Sequence, residues 1–258
     1  MDFEYIKQNA THSGNYHDMR WYYLDGDLYI EVNGPLDMTG NLRFDAFVPQ
    51  DYSYEHLTYP EFAYPWEQVK DEIMSVYIAE GCTVIRWRSF WAHKNLRKAS
   101  IPKSVRKIEW RGFGDCEKLE DIEMSEGLVE IGEQAFYGCV SLHRLIIPSS
   151  VKVIGSCAFY SCHKLEELMI SEGVEEIQSH AFVGCMSLRS LSLPNSLKKI
   201  GQWAFAVCRK LDQVIIPKSI EEIGTGAFNC AKRVIISKSM DKIESSAFCG
   251  VGKVIYQE

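Results

Sequence analysis

Residues 131–151 read I-G-E-Q-A-F-Y-G-C-V-S-L-H-R-L-I-I-P-S-S-V, and the same pattern recurs along most of the chain of 258 residues. Phe136 has counterparts 23 residues before and 23 residues after it, and the neighbouring Ile, Ala and Leu positions keep the same phase. Agreement in so many columns indicates tandem repeats. The phenylalanines that mark them are Phe90, Phe113, Phe136, Phe159, Phe182, Phe205, Phe228 and Phe248, the last after a step of 20 residues.

A unit of 23 residues cannot bury an apolar face alone, but stacked units share one continuous core. In each unit the pattern L-x-x-L-x-I predicts a short strand with alternate side chains pointing inward. We therefore expect a mostly β solenoid whose coils form a parallel sheet, with neighbouring strands about 4.8 Å apart. About nine short strands are predicted, centred on Tyr77, Ser100, Glu123, Ile146, Met169, Ser192, Ile215, Ile235 and Ile255.

The repeat motif resembles that of the BspA-like class of bacterial leucine-rich repeats, and the resemblance covers about residues 73–258. The segment from Trp21 to Ile30 is similar to the β-strand segment that often precedes such repeats. The resemblance implies an α/β-type leucine-rich repeat solenoid. It also implies a bacterial or protozoan surface protein that binds other proteins or host matrix and is not an enzyme.

The N-terminal third differs from the repeats in chemistry. Residues 1–77 hold 14 acidic and four basic side chains, which argues against nucleic acid as a partner. The Asp25-Gly26 dipeptide between apolar residues predicts a β-hairpin. We assign residues 1–72 to a β-rich cap on the first coil and residues 73–258 to the solenoid. Between residues 44 and 66 lies an acidic, aromatic loop, expected to be partly exposed, whose candidate binding residues are Tyr52, Tyr54, Tyr59 and Tyr64.

The cysteines and paired acids have simpler explanations than catalysis or metal binding. Five cysteines stand three residues after the repeat phenylalanine, which predicts a buried column of free thiols. The pairs Glu175-Glu176, Lys198-Lys199 and Glu221-Glu222 occupy matching positions in successive coils, so opposite charges are expected to face one another and fix the stacking register. We predict no catalytic site, no metal site and no cofactor.

The middle residue of each predicted strand points outward from the sheet. In the later coils this column is apolar, with a polar column beside it, and contiguous exposed apolar surface marks interaction sites. The alternative explanation is that isoleucine occurs at these outward positions only because β-branched residues favour strands. The candidate binding residues on this surface are Tyr77, Arg144, Ile146, Met169, Ile215 and Ile235.

The sequence therefore favours a non-enzymatic scaffold for protein–protein recognition, with a protein or another copy of this chain as partner. The alternatives are a carbohydrate-binding module that uses the aromatic loop, a structural component of a surface layer, and a hydrolase hidden in the N-terminal region. No apolar run is long enough to span a membrane. The compartment stays open, because the resemblance implies the cell surface or secretion while Met1 to Gly14 show no secretory signal.

Overall fold

A computed structural model describes residues 3–16, 19–32, 64–240 and 242–258. The N-terminal part begins with helix α1 (Phe3–Asn9), followed by three antiparallel strands. Asp25 and Gly26 form the turn of the predicted hairpin, with φ angles of 50° and 92°. Because both residues adopt the left-handed conformation that such tight hairpin turns need, the hairpin prediction is confirmed. The strands are β1 (His12–Tyr16), β2 (Met19–Leu24) and β3 (Asp27–Val32).

The solenoid carries one main face of parallel strands. Strand β3 pairs in parallel with the first repeat strand, so the N-terminal hairpin continues directly into the stack. The division at residue 72 stays a prediction. The main-face strands are β4 (Ser75–Ile78), β6 (Lys98–Ile101), β8 (Asp121–Met124), β10 (Arg144–Ile147), β12 (Glu167–Ile170), β15 (Gln213–Ile215), β17 (Arg233–Ser237) and β18 (Lys253–Gln257).

The predicted strand around Ser192 is reduced to two isolated bridges, Met169 with Ser192 and Leu191 with Val214. Its outward residues are Ser190 and Ser192, although Ser100 in the same outward column is fully paired within β6. The strand pairing of the main face is interrupted at this coil and also between β8 and β10.

A second parallel sheet, which was not predicted from the sequence, follows the isoleucine column of the repeat. It has seven strands of two residues each, and adjacent strands in this sheet come from consecutive coils. Short 3-10 helices at Pro65–Val69 and Ser245–Phe248 lie near the two ends of the stack. The strands are β5 (Val84–Ile85), β7 (Lys107–Ile108), β9 (Glu130–Ile131), β11 (Val153–Ile154), β13 (Glu176–Ile177), β14 (Lys199–Ile200) and β16 (Glu222–Ile223).

The core contains a continuous ladder of aromatic rings. From Phe90 to Phe228 the rings are buried and stacked, with centroids 4.9 to 5.7 Å apart. Trp66 extends the ladder by one step, with its ring 5.7 Å from that of Phe90 and its indole N–H donating to the carbonyl of Ser89. The predicted internal row of phenylalanines is confirmed, and the ladder begins earlier than the sequence indicated.

Neighbouring coils are also tied together by reciprocal hydrogen bonds that recur every second coil. The carboxylate of Glu126 accepts bonds from the backbone N–H groups of Ser149 and Ser150. In return, the hydroxyl of Ser150 accepts a bond from the N–H of Gly127. These bonds lower the pKa of Glu126 below its usual value. The same exchange links Glu172 and Gly173 to residues 195–196.

Candidate binding surface

The outward residues of the main face form an exposed apolar strip. In strands β10 and β12 inward and outward side chains alternate, so Leu145 and Leu168 enter the core while Ile146 and Met169 face outward. Ile146 and Met169 are register partners on adjacent strands, with exposed fractions of 43% and 54%. Ile215 is 59% exposed. We call Ile146, Met169 and Ile215 the apolar strip.

The expected exposure is wrong for Ile235, which is only 9% exposed. Its register partners are Ile215 on one side and Ile255 on the other, and these two branched side chains cover it. Tyr77 lies apart from the strip at the N-terminal end of the sheet. Its ring is partly buried and stacks on Tyr29 at 5.0 Å, so the fold does not bring it together with the strip.

A border of charged residues lies beside the strip. Arg144 is exposed, and its Nε lies 3.5 Å from a carboxylate oxygen of Glu167 on the next coil. Further along the same column, Lys98 lies 3.6 Å from Asp121. In these two pairs, opposite charges therefore face each other between adjacent coils. Exposed pairs of this kind contribute about 0.2–1 kcal/mol each, so they define the register and the polar rim more than the stability.

The paired acids also form ion pairs between coils. Lys152 and Lys198 lie 3.4 and 3.7 Å from the two carboxylate oxygens of Glu175, and Lys199 lies 3.7 Å from Glu222. These contacts confirm the predicted facing of opposite charges. The carboxylates are thus held beside ammonium groups on the surface, an arrangement that gives them a structural role.

An open recess of about 520 Å³ adjoins the C-terminal end of the strip, at the coil where strand pairing is interrupted. Ile215 and Leu193 supply apolar lining, while Ser192, Asn195 and Gln213 supply hydroxyl and amide groups. Because the serine side chain is small, Met169 and Ile215 stand on either side of a gap in the strip. The strip and the recess together combine apolar contact with polar groups, as ligand sites do.

The aromatic N-terminal loop is described only at its end. Tyr52, Tyr54 and Tyr59 lie outside the described residues, so glycan binding there stays a prediction. The ring of Tyr64 stacks on that of Trp66 at 5.0 Å, and its hydroxyl donates to the carbonyl of Trp87. Tyr64 therefore packs against the first coil of the solenoid.

The cysteine column is fully buried, as predicted. Each thiol lies 3.0–3.6 Å from the carbonyl oxygen of a phenylalanine in the preceding coil, to which it donates. Burial raises the pKa of Cys116 and Cys162 well above the usual value, so these thiols are neutral and poor nucleophiles. Within the described ranges, no three His, Cys, Asp or Glu side chains are grouped so that they could hold a metal ion.

His93 occupies the same column in the first complete coil. It is fully buried, and its Nδ1 lies 3.3 Å from the carbonyl oxygen of Trp91. Its Nε2 has no hydrogen-bond partner among the residues that the structure describes. Burial, together with the positive charge of Lys70, lowers the pKa of His93 to about 4. The imidazole is therefore neutral at pH 7.

Comparison with known proteins gives a consistent result. The model of the BspA type leucine-rich repeat region, in six copies, matches residues 83–191 and 154–255. A leucine-rich repeat protein of T. pallidum is 34% identical, with a TM-score of 0.56 over 61% of this chain and 76% of that one. A leucine-rich repeat protein of Bacteroides ovatus is 21% identical, with a TM-score of 0.52 over 95% and 71%, and shares the fold. None of the curated proteins matches this sequence.

Leucine-rich repeat proteins generally act as non-enzymatic scaffolds for protein interactions. In the part of the chain that the structure describes, no helix has the length and apolar character needed to cross a bilayer. The repeat motif, the stacked coils and the match over most of the chain agree, and the chain belongs to the BspA type leucine-rich repeat family.

Proposed function

We propose that the apolar strip, with the adjoining recess, binds a protein partner. The observation that carries this proposal is the exposure of three large apolar side chains on the outer face of a sheet whose other outward residues are mostly polar. Burying one such side chain in an interface contributes on the order of 1.5–3 kcal/mol, so the three can supply much of the affinity of a transient complex. The charged border then sets orientation and on-rate.

The arrangement suits an apolar side chain of the partner. Met169 and Ile215 flank Ser192, which leaves a gap one coil wide in the strip. An apolar residue inserted there would contact both flanking side chains, while Gln213 and Asn195 could bond to the partner's backbone. The methionine adapts its shape easily because its side chain is unbranched.

The proposal is tested by Ile146→Lys and Met169→Lys, which place a charge on the strip without touching the core. Partners are captured by photo-crosslinking from a reactive residue at position 169, and the purified partner is then titrated against each variant. Self-association of the chain alone is measured by light scattering. We expect both variants to unfold as the parent does and to lose about tenfold or more in affinity.

Ser100→Lys is the matched control, because Ser100 occupies the same outward column two coils before Ile146. It should leave the affinity unchanged. If the two strip variants bind the partner as tightly as the parent, and light scattering shows no change in self-association, the strip is not the binding surface.

The proposal includes action at the cell surface, which the family relationship supports. An antibody against the solenoid should stain intact cells of the source organism, and brief protease treatment should remove the signal. If staining requires permeabilised cells, the proposed action at the cell surface is wrong. The binding experiment with the strip variants then still tests the apolar strip.

A further inference from the structure

A second cluster of chemically active side chains lies on the turns that flank the repeat phenylalanines, away from the sheet strands. It comprises Arg88 and Trp91 from the Phe90 coil, Arg111 and Asp115 from the Phe113 coil, and Tyr137 from the Phe136 coil. All five side chains are partly exposed. We call these five residues the cation–aromatic cluster. Tryptophan, tyrosine and arginine are the residue types that dominate binding hot spots.

The rings of the cluster are held in place by neighbouring groups. The indole N–H of Trp91 donates to the Asp115 carboxylate at 2.8 Å, which fixes the plane of the ring. The guanidinium carbon of Arg88 lies 3.7 Å from the Trp91 ring centroid, so the guanidinium stacks on the indole. Tyr137 is held by stacking on Tyr160 at 5.2 Å. Such a surface is preorganised, because little rotamer freedom remains to be lost on binding.

The two arginines differ in what their donors already contact. The Nε of Arg111 donates to the side chain of Gln134 at 2.6 Å, and its Nη1 lies 3.6 Å from Asp115. Among the described residues, the guanidinium of Arg88 has no carboxylate at ion-pair distance and no hydrogen-bond acceptor. Burial and the charge of Arg111 lower the pKa of Arg88. The guanidinium of Arg88 is therefore stacked on an indole and partly dehydrated. Its N–H donors contact no anion among the described residues, so they are available to bind one.

The backbone does not require arginine at this position. Arg88 has a φ angle of 57°, in the left-handed region that favours glycine, and Gly226 fills the equivalent place in the Phe228 coil with a φ of 62°. Gln134, Cys157 and His180 hold the same place in other coils with φ angles of 54° to 62°, so this conformation selects no particular side chain. The arginine side chain therefore calls for an explanation other than the conformation of the turn.

The charge of the cluster matches a single carboxylate. Two guanidinium groups and one carboxylate give the cluster one net positive charge. Nearby Lys70 adds nothing to this charge, because it is paired with Glu67 at 3.1 Å. A carboxylate monoanion balances this one positive charge, whereas a phosphate dianion exceeds it and meets about twice the repulsion from Asp115. We propose that the cation–aromatic cluster binds a glutamate or aspartate side chain in an acidic, aromatic segment of a protein partner, with Arg88 as the donor and Trp91 and Tyr137 as the apolar walls. This site is separate from the apolar strip and does not depend on it.

The test uses the full chain labelled with ¹⁵N, in which six tryptophan indole N–H signals report on six positions. Loss of one signal in Trp91→Phe assigns Trp91. The probe is a short acetylated peptide of alternating Glu and Tyr, compared with the same peptide carrying Gln in place of Glu. We expect the Trp91 indole signal to shift saturably with the Glu peptide and to stay unchanged with the Gln peptide. Arg88→Gln should bind the Glu peptide about tenfold or more weakly than the parent chain does.

Matched variants separate the site from general charge effects. Arg106→Gln removes an exposed arginine outside the cluster and should leave the affinity unchanged, while Arg88→Lys keeps the charge but loses the planar fork and should bind with intermediate affinity. The dispersion of the remaining indole signals verifies that each variant is folded. Three results would overturn the proposal: no shift of Trp91, equal binding by Arg88→Gln, or displacement of the peptide by equimolar sodium acetate or inorganic phosphate. Loss of binding in Met169→Lys would instead assign the peptide to the apolar strip and would also refute the cluster.

Discussion

Lowering the pH should destabilise the solenoid through His93, and the size of the effect follows from its surroundings. In the folded chain the imidazole is buried, lies near Lys70 and has a pKa of about 4, against an ordinary value of 6.5. As the pH falls below 6.5, the unfolded chain takes up a proton that the folded chain refuses, so the free energy of unfolding decreases until the pH reaches about 4. At about 1.4 kcal/mol per pH unit, the loss amounts to roughly 3 kcal/mol.

The assay is urea denaturation followed by tryptophan fluorescence across this pH range, with the parent compared with His93→Cys. Cysteine fills the same column in later coils and has no proton to gain, so the variant should lack this part of the pH dependence. His163→Gln is the control, because His163 is exposed and its removal should leave the profile as in the parent. Parallel profiles for the parent and His93→Cys would refute the reasoning, whatever their absolute stabilities.

Three further substitutions test the forces that hold the coils together. Phe159→Ala removes a buried ring stacked on both sides and should lower the free energy of unfolding by about 3–5 kcal/mol in urea titration; a loss below about 1 kcal/mol would contradict a shared core. Glu175→Lys places three ammonium groups in a row with Lys152 and Lys198, so the melting temperature should fall and recover partly in high salt, and a salt-independent change would exclude the charge mechanism. Glu126→Gln should speed amide hydrogen exchange in the turn at residues 149–150, and unchanged exchange would show that the carboxylate does not hold this turn.

The repeat period explains why the sequence predicted so much of the core. Phe136 and its counterparts recur at one spacing, and in a stack a fixed spacing places equivalent side chains in one row. Trp66 escaped the prediction because the residue type changes and the step to Phe90 is 24 residues instead of 23. The reciprocal bonds of Glu126 were also not predicted, since they recur only in alternate coils and the 23-residue pattern recurs in every coil.

The candidate site was predictable only in part. Alternation along the strand predicted that Ile146 and Met169 point outward, but the exposure of a side chain also depends on the residues beside it on neighbouring strands. Ile235 lies between two isoleucines and is covered, whereas Met169 has Ser192 on one side and is not. Arg88 and Trp91 stand at fixed offsets from Phe90, so a column-by-column reading of the turns would have revealed the cation–aromatic cluster.

Hydroxyl-radical footprinting tests the central claim most directly, because two methionines offer an internal comparison. Met169 lies in the apolar strip and is 54% exposed, whereas Met186 lies outside it and is 37% exposed. In the complex with the captured partner, oxidation of Met169 should slow about tenfold or more while oxidation of Met186 stays unchanged. Equal oxidation of Met169 in the free and bound chain, or protection of Met186 alone, would contradict binding at the strip.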